Sequence, residues 1–475
     1  MRVSSLRGSV VSLLVSTFAP ASSFLRPSVS ASSSRTPWKS HLSRPRVSTT
    51  ASMSSTSSLL PSVSSRIQTT LDPCVVLMKQ LIGKYADLWA DKGGIFSLAQ
   101  GVVYWKPPPQ VNTALVRALQ DDETDADACP LLHTYGPDEG LPDLRQAIQQ
   151  KIQRENHLTN HNVMITVGAN QAYTNCILTL INQNQKVVVF APYYFNHVMA
   201  IQMALPPDSL VVGPCSDDGI PDLEWLQQTL AADPSIHMVT IVNPGNPTGV
   251  TLSRQVLQRA VDLCRDHQTW LTLDCTYEYF VNAQEEDDNN TYELGGCFPD
   301  PHVIHIFSFS KSYAMAGYRC GYVVLSKEND DEIFQQMLKV QDTIPIAPAR
   351  IAQIAAMAAM QEDKETKAGK GKLWVAQQFE TLQTGRQAIC KALQAMDGPI
   401  MGGSGAMYVM AKLPASTPDD KAIAEMLVKD YGVAIIPGSF CGFPGWIRVC
   451  YSNLPPDKCL QAAERLERGI RELCT

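Results

Sequence analysis

Between Thr113 and about Met360 the sequence keeps one rhythm, and few folds accept it. Six short runs rich in β-branched and aromatic residues occur there, at 163–167, 186–190, 237–242, 270–273, 303–307 and 322–325. Helical patterns such as 254–266 fall between several of them. Parallel strands cannot be joined by a tight turn and need a crossover, usually a helix. The alternation therefore predicts an α/β domain built on a largely parallel sheet. Ligands of such sheets sit beyond the carboxyl ends of the strands. The residues that follow each run are thus the place to look for chemistry.

The flanking segments are of other kinds. Residues 1–65 contain no Asp or Glu and are rich in Ser and Arg, with an apolar core at 10–18 behind Arg2 and Arg7. This composition predicts a disordered targeting presequence, either an organellar transit peptide or a signal peptide followed by a plastid transit segment. The expected destination is a plastid, with a mitochondrion as the other organelle and the cytoplasm if the leader is not functional. Residues 66–112 form an N-terminal segment expected to pack with a smaller domain. Val75, Met78, Leu81, Ile82 and Tyr85 predict a helix over 71–91 that stops before Gly93 and Gly94. In the stretch LAQGVVYWKPPP that follows, Gly101 permits a close backbone approach, and Pro107 to Pro109 stop any helix. Tyr104 and Trp105 read as core residues or as pocket aromatics. The α/β domain is placed at 113–365, with an exposed acidic loop at 284–290. A charged loop at 363–372 predicts a hinge into a smaller α+β domain at 366–475. There the pattern gives a long helix over 373–395, a strand pair around 406–411 and a helix over 419–430. A second strand pair runs through 449, and a last helix carries Cys459, Ala463, Leu466, Ile470 and Leu473 on one face.

Composition removes several function classes. The formal net charge is −7 and the pI near 5.7, which argues against a nucleic-acid footprint. The 13 cysteines are odd in number, with no CxxC pair and no metal-ligand spacing, so they read as buried thiols in a reducing compartment and no metal is expected. No apolar run reaches membrane-spanning length, so no membrane partner is expected.

The chemistry gathers after the strands. Lys311 follows the run at 303–307, within SFSKSYAMAGYRCG at 308–321. A lysine at the mouth of a buried strand loses hydration, and its free amine becomes a usable nucleophile. Ser308, Ser310 and Arg319 around it suit an anionic anchor such as a phosphate. An amine beside a phosphate anchor is what pyridoxal phosphate requires, since its aldehyde forms a Schiff base with a lysine. Asp274 ends another buried run, where a carboxylate needs a partner, and a protonated pyridine nitrogen is a suitable one. Tyr277 lies just behind it. Asn246, between two prolines in VNPGNPTG at 242–249, is placed to bond the same ring's phenolic oxygen. In TVGANQ at 166–171 the backbone amides of Ala169 and Asn170 open a helix and favour an anion. Tyr194, in APYYFNH at 191–197, is placed to stack on a flat ring, and His197 to orient Asp274. Arg448, in the strand WIRVCYS at 446–452, reads either as a clamp on a substrate carboxylate or as a surface ion pair.

Taken together, these motifs resemble the class I and II aminotransferases, pyridoxal-phosphate enzymes of fold type I, from about Asp72 to Thr475. The resemblance rests on SFSK with Arg319 behind it, NPGNPTG at 243–249, Asp274 with Tyr277, PYYFNH at 192–197 and the Arg448 strand. It implies a large domain with a mostly parallel seven-stranded sheet and a smaller α+β domain. Lys311 would hold the cofactor and move the proton. Asp274 would pair with the pyridine nitrogen, Asn246 and Tyr277 would hold the phenolic oxygen, and Tyr194 would stack on the ring. Ser308, Ser310, Arg319 and the backbone at Ala169 and Asn170 would bind the phosphate. Tyr135, in HTYGPDEGLPDLR, looks like the tyrosine that reaches the phosphate of a partner subunit, which implies a homodimer. Arg448, assisted by Asn246 and the backbone at Gly101, would bind the substrate carboxylate. Within the family, LAQGVVYWKPPP, GANQAYTN, FAPYYFNHVMA and CTYEYF look most like plant aromatic aminotransferases, which use methionine and aromatic 2-oxo acids such as indole-3-pyruvate or phenylpyruvate. Tyr104 and Trp105 would then suit an aromatic side chain. No readable motif supplies the second arginine of dicarboxylate-specific relatives. An aspartate/prephenate-type or kynurenine-type aminotransferase, or a C–S lyase on the same scaffold, is the alternative. A cofactor-binding regulator would need a DNA-binding module that the leader does not offer.

Overall fold

The computed structural model describes residues 62–124, 131–282, 296–361, 374–417 and 419–474. The expectations for the leader through residue 61, the acidic loop at 284–290 and the hinge at 363–372 lie outside the described residues. Residues 62–475 form one contact unit.

Strand β1 is Phe96–Ser97, and then come β2 (His161–Thr166), β3 (Lys186–Ala191), β4 (Leu210–Pro214), β5 (Ile236–Val242), β6 (Trp270–Asp274), β7 (Val303–Ser308) and β8 (Gly321–Ser326). Strands β2 to β8 make one seven-stranded sheet in the order β2-β8-β7-β6-β5-β3-β4. Only β8 runs against its neighbours, β2 and β7. The stretch joining β7 to β8 holds a single 3-10 turn at Ala316–Tyr318, too short for a crossover helix, so the chain must turn back. Residues on alternate sides of the strands enter separate cores. Val239 and Ile241 of β5 join one, Met238 the other. Both faces are thus covered, as a parallel sheet requires.

Six of the seven strands lie where the sequence runs predict them, within a residue or two. The seventh, β4, was not expected. It is an edge strand paired only to β3, with Val212 44% exposed and a Gly-Pro end that reads as a turn.

A second, four-stranded antiparallel sheet is built from β9 (Ile400–Gly402), β10 (Tyr408–Lys412), β12 (Ile436–Pro437) and β13 (Trp446–Cys450); the intervening β11 is Val433–Ala434. The helices Gln383–Leu393 and Pro456–Leu473 supply its core with Ile389, Ala392, Leu466 and Ile470. The short β1 pairs in parallel with β11, joining the N-terminal segment to this lobe. The long helix expected over 373–395 is instead two, Trp374–Glu380 and Gln383–Leu393. At the break, the amides of Thr381 and Leu382 bond back three residues, and the Thr381 hydroxyl also donates to the Gln378 carbonyl at 2.6 Å. A threonine that back-bonds its own turn favours this tightening.

One buried ionic group braces the loop after β6. Lys151, on the helix Pro142–Glu155, is 4% exposed. Its ammonium donates to Glu278 Oε2 at 2.5 Å and to Asn156 Oδ1 at 2.8 Å, and lies 4.9 Å from the Phe307 ring centroid. Asn156 Nδ2 donates to the same Glu278 oxygen at 3.1 Å. Glu278 therefore ties to the helix the loop that leaves Asp274 and carries Tyr277.

Candidate active site

The carboxyl ends of β2, β3, β5, β6 and β7 share one edge of the large sheet, and a cavity of about 250 Å³ opens there. Asp274 and Ser308 are the last residues of β6 and β7, while Asn246, Tyr194 and Ala169 follow β5, β3 and β2. Ser310, Lys311, Arg319, Asn170, Tyr277 and Gly101 complete the wall. Strand order alone explains the convergence. Loops that leave neighbouring parallel strands at the same edge must meet.

At the inner end, Asp274 is 4% exposed. Its Oδ2 lies 3.2 Å from His197 Nε2, and its Oδ1 accepts the Thr276 amide at 3.0 Å. Burial alone would push this carboxyl up, but the bond and charge of His197 together with Thr276 outweigh it and hold the group below the usual carboxylate value. Tyr173, which the sequence reading missed, packs its ring 4.0 Å from that of His197 and bonds Thr240 Oγ1 at 2.9 Å. Its position one turn into a helix gives no sign of its direction.

Lys311 stands across the cavity, half-buried, with Nζ donating to the Gly101 carbonyl at 2.5 Å. Withdrawal from water pulls its pKa down to about 8; the Arg448 and Arg319 charges add to the fall, while Cys450 and Asp274 oppose it. At the third side the helix Ala169–Leu180 begins after Gly168 with no side-chain cap, so its first amides face the cavity unclaimed by the helix. Arg319 Nη1 donates to the Ala316 carbonyl at 2.9 Å and lies 3.5 Å from Ser310 Oγ. Gly168 has φ +81°, and a Cβ there would stand 2.4 Å from Arg319 Nη2. Guanidinium, hydroxyls and helix start thus form a concave donor set that a phosphate fills and that any side chain at 168 would obstruct.

Arg448 is 2% exposed, which removes the surface ion-pair reading. Nη1 donates to Asn246 Oδ1 at 3.0 Å and Nη2 to the Ala99 carbonyl at 2.6 Å. Its Nε is buried without a hydrogen-bond partner, and among the described residues no carboxylate pairs with it. A buried cation with a spare donor is suited to an incoming carboxylate. Asn246 Nδ2 in turn donates to the Tyr277 hydroxyl at 3.3 Å. Replacing Arg448 with alanine is expected to raise KM for every amino-acid substrate by about 100-fold, the loss of a charge-assisted bond or two, with little change in the affinity for cofactor. Steady-state kinetics across several donors and a cofactor titration check this.

Two expectations fall elsewhere. Tyr135 is outside the cavity and 76% exposed, its carbonyl held by Arg350 Nη2 at 2.9 Å. Tyr104 and Trp105 pack on the core of the second sheet, with Trp105 stacked on Phe280 at 6.3 Å and the Tyr104 hydroxyl on Thr381 at 2.7 Å.

An amine, a buried acid and a phosphate cradle on three sides of one cavity fit pyridoxal phosphate, by donor chemistry as well as by placement. That makes this an enzyme of the fold type I, pyridoxal-phosphate-dependent class. The family model "Aminotransferase class I and II" matches residues 95–466, and the chain belongs to that family. It is 38% identical to the aromatic aminotransferase ISS1 of Arabidopsis thaliana, over 83% of this chain and 94% of that one. It is 27% identical to the aspartate/prephenate aminotransferase of Thermus thermophilus, over 79% and 91%. Among solved structures it is similar to the aspartate aminotransferase from Thermus thermophilus with maleate, with a TM-score of 0.72 and 25% identity, covering 86% of this chain and 100% of that one. The protein is thus an aminotransferase, and pyridoxal phosphate is its cofactor.

Proposed function

We propose that this enzyme moves the amino group between methionine or an aromatic L-amino acid and an aromatic 2-oxo acid. The observation that carries a carboxylate-bearing substrate is the buried Arg448 with its free Nε, one Asn246 away from Tyr277. The aromatic preference is supported by the likeness to the Arabidopsis enzyme, whose printed name is aromatic aminotransferase. When bound, pyridoxal phosphate supplies an aldehyde that captures amines and a cationic ring that accepts electrons.

The chain's own groups then divide the work. Arg448, with Asn246 and the backbone at Gly101, seats the substrate carboxylate. Lys311, neutral at a lower pH than an exposed lysine, holds the cofactor and, once displaced, takes the proton from the substrate Cα. Asp274, kept ionised by His197, pairs with the pyridine nitrogen. Asn246 and Tyr277 hold the ring's phenolic oxygen, and Tyr194 stacks on the ring. Ser308, Ser310, Arg319 and the amides of Ala169 and Asn170 hold the phosphate. Tyr135, left exposed by its own chain, serves the phosphate of a partner subunit in a homodimer. Residues 1–65 carry the chain to a plastid, which an organelle import assay of a fusion to this leader tests.

A donor–acceptor panel tests the activity. Phenylalanine, tyrosine, tryptophan and methionine with phenylpyruvate or indole-3-pyruvate should exceed aspartate and glutamate in kcat/KM by at least about tenfold, the worth of one good pocket contact. Aspartate as the best donor would replace this reading with the aspartate/prephenate one. Ammonia release without amino transfer would replace it with a lyase.

A further inference from the structure

Tyr408 belongs to none of the motifs that compose the site, and it lies on β10 in the second sheet. Its hydroxyl is nevertheless 2.8 Å from that of Tyr277, which follows β6 of the first sheet. The side chain is 1% exposed, so water does not compete for it. The Arg448 guanidinium lies 4.6 Å from its ring centroid. From a third side Gly101 presses in so closely that a Cβ there would stand 2.0 Å from the Tyr408 oxygen. The substrate clamp, the loop after β6 and the Gly101 turn all bear on this one phenol.

Counting protons shows what the contact decides. A tyrosine hydroxyl has one proton and two lone pairs. The amide of Asn246 is oriented by Arg448, which bonds its Oδ1, so its Nδ2 is the atom that donates to Tyr277. Only one proton can lie between the two tyrosine oxygens. If Tyr277 gives its own, none is left for the cavity. If Tyr408 gives its proton, both lone pairs of Tyr277 are filled and the Tyr277 proton is free to point inward. The Arg448 charge over the Tyr408 ring makes Tyr408 the stronger acid and hence the better donor. Lys311 stands farther from the Tyr277 ring, at 6.0 Å, and loses its charge more readily.

We infer that Tyr408 is a positioning residue that donates to Tyr277 and so turns the Tyr277 proton into the cavity, toward the ring oxygen of the cofactor. This rests on the reading in which Tyr277 holds that oxygen. Its effect reaches beyond the bound ring. Because the same phenol lies under Arg448, the seating of the carboxylate and the hydrogen bond to the ring oxygen share one support.

The test is the pH at which the visible absorbance of the bound cofactor titrates, read on substrate-free holoenzyme. A donor to the ring oxygen favours its anion, so losing the donor raises that midpoint. Tyr408→Phe keeps the ring beneath Arg448 and removes only the hydroxyl. Tyr277→Phe should raise the midpoint, and Tyr408→Phe should raise it in the same sense by about half a pH unit, within the range of one perturbed hydrogen bond. The double variant should match Tyr277→Phe alone, because two residues acting through one proton are not additive. Gly101→Ala, which must displace the Tyr408 oxygen, should move the midpoint the same way. KM for the amino donor should stay within about twofold in Tyr408→Phe while kcat falls, as expected for an interaction outside uniform substrate binding. If Tyr277→Phe shifts the midpoint and Tyr408→Phe does not, or if the two shifts add, the inference is wrong and the ring-oxygen reading stands. If Tyr277→Phe leaves the midpoint in place, that reading fails and the inference falls with it.

Discussion

Replacing Lys311 with alanine should lower kcat by about 10³-fold or more and abolish the visible absorbance of the lysine-bound cofactor. General base catalysis alone accounts for about 10²–10⁴, and the covalent hold on the cofactor is lost as well. The pocket makes the direction clear. Lys311 donates to the Gly101 carbonyl, and its burial brings the pKa from 10.5 down to about 8. Below that pH the ammonium form predominates and cannot attack a carbonyl; above it the free amine does. Covalent capture of pyridoxal phosphate by the cofactor-free wild-type protein should therefore rise with pH through about 8. A rise centred near 10 would show that the lysine is fully hydrated. An alanine variant with wild-type turnover would remove Lys311 from the mechanism.

The second large effect is on stability. Lys151→Met should cost about 3–5 kcal/mol, because it strands a charge in the interior. Burial pushes the Glu278 carboxyl up, and the Lys151 charge and hydrogen bond are what counter it. With the ammonium gone, Asn156 is left as the neutral donor to that oxygen. Urea unfolding of the holoenzyme should show a lower midpoint, and cofactor retention should weaken too, since the displaced loop leaves Asp274 and carries Tyr277. Lys151→Met combined with Glu278→Leu should regain much of the loss, as replacing both members of a buried pair often does. A single variant that unfolds at the wild-type midpoint would mean that Glu278 finds water or another partner.

Much of this site was legible because its residues are held by local rules. A strand that ends in a charged or turn residue announces itself in the run of β-branched residues before it. Asp274, Ser308 with Lys311, and Asn246 were each found that way. Arg448 was ambiguous, since alternation along a strand tells which residues share a face but not what lies opposite. The Val409–Val449 register of β10 and β13, which buries it, comes from a pairing distant in sequence. Tyr408 and Tyr173 were invisible for the same reason. Both act across elements, and an aromatic in a strand or helix reads as core until its neighbours are known. The fold showed the same division. Fully buried strands were found, while β4 was missed because an edge strand needs only one covered face and tolerates Gly and Pro. The helix break at Thr381 depends on one side-chain hydroxyl turning back on the Gln378 carbonyl, a choice that periodicity cannot register.

The stretch from Phe96 to Val102 limits where the chain tolerates a cut. Phe96 and Leu98 bond the backbone at Gly432 and Ala434, Leu98 accepts from Cys450, and Ser452 returns to Val102. The same few residues offer oxygens to two of the three active-site basic groups, Ala99 to Arg448 and Gly101 to Lys311. A cut ahead of Leu71 spares this seam and the helix before it, whose Cys74 and Met78 pack in one cluster with Ala99, Phe195 and Tyr194. A cut past Gly101 would leave every strand of the large sheet intact and yet remove the oxygens that Arg448 and Lys311 bond.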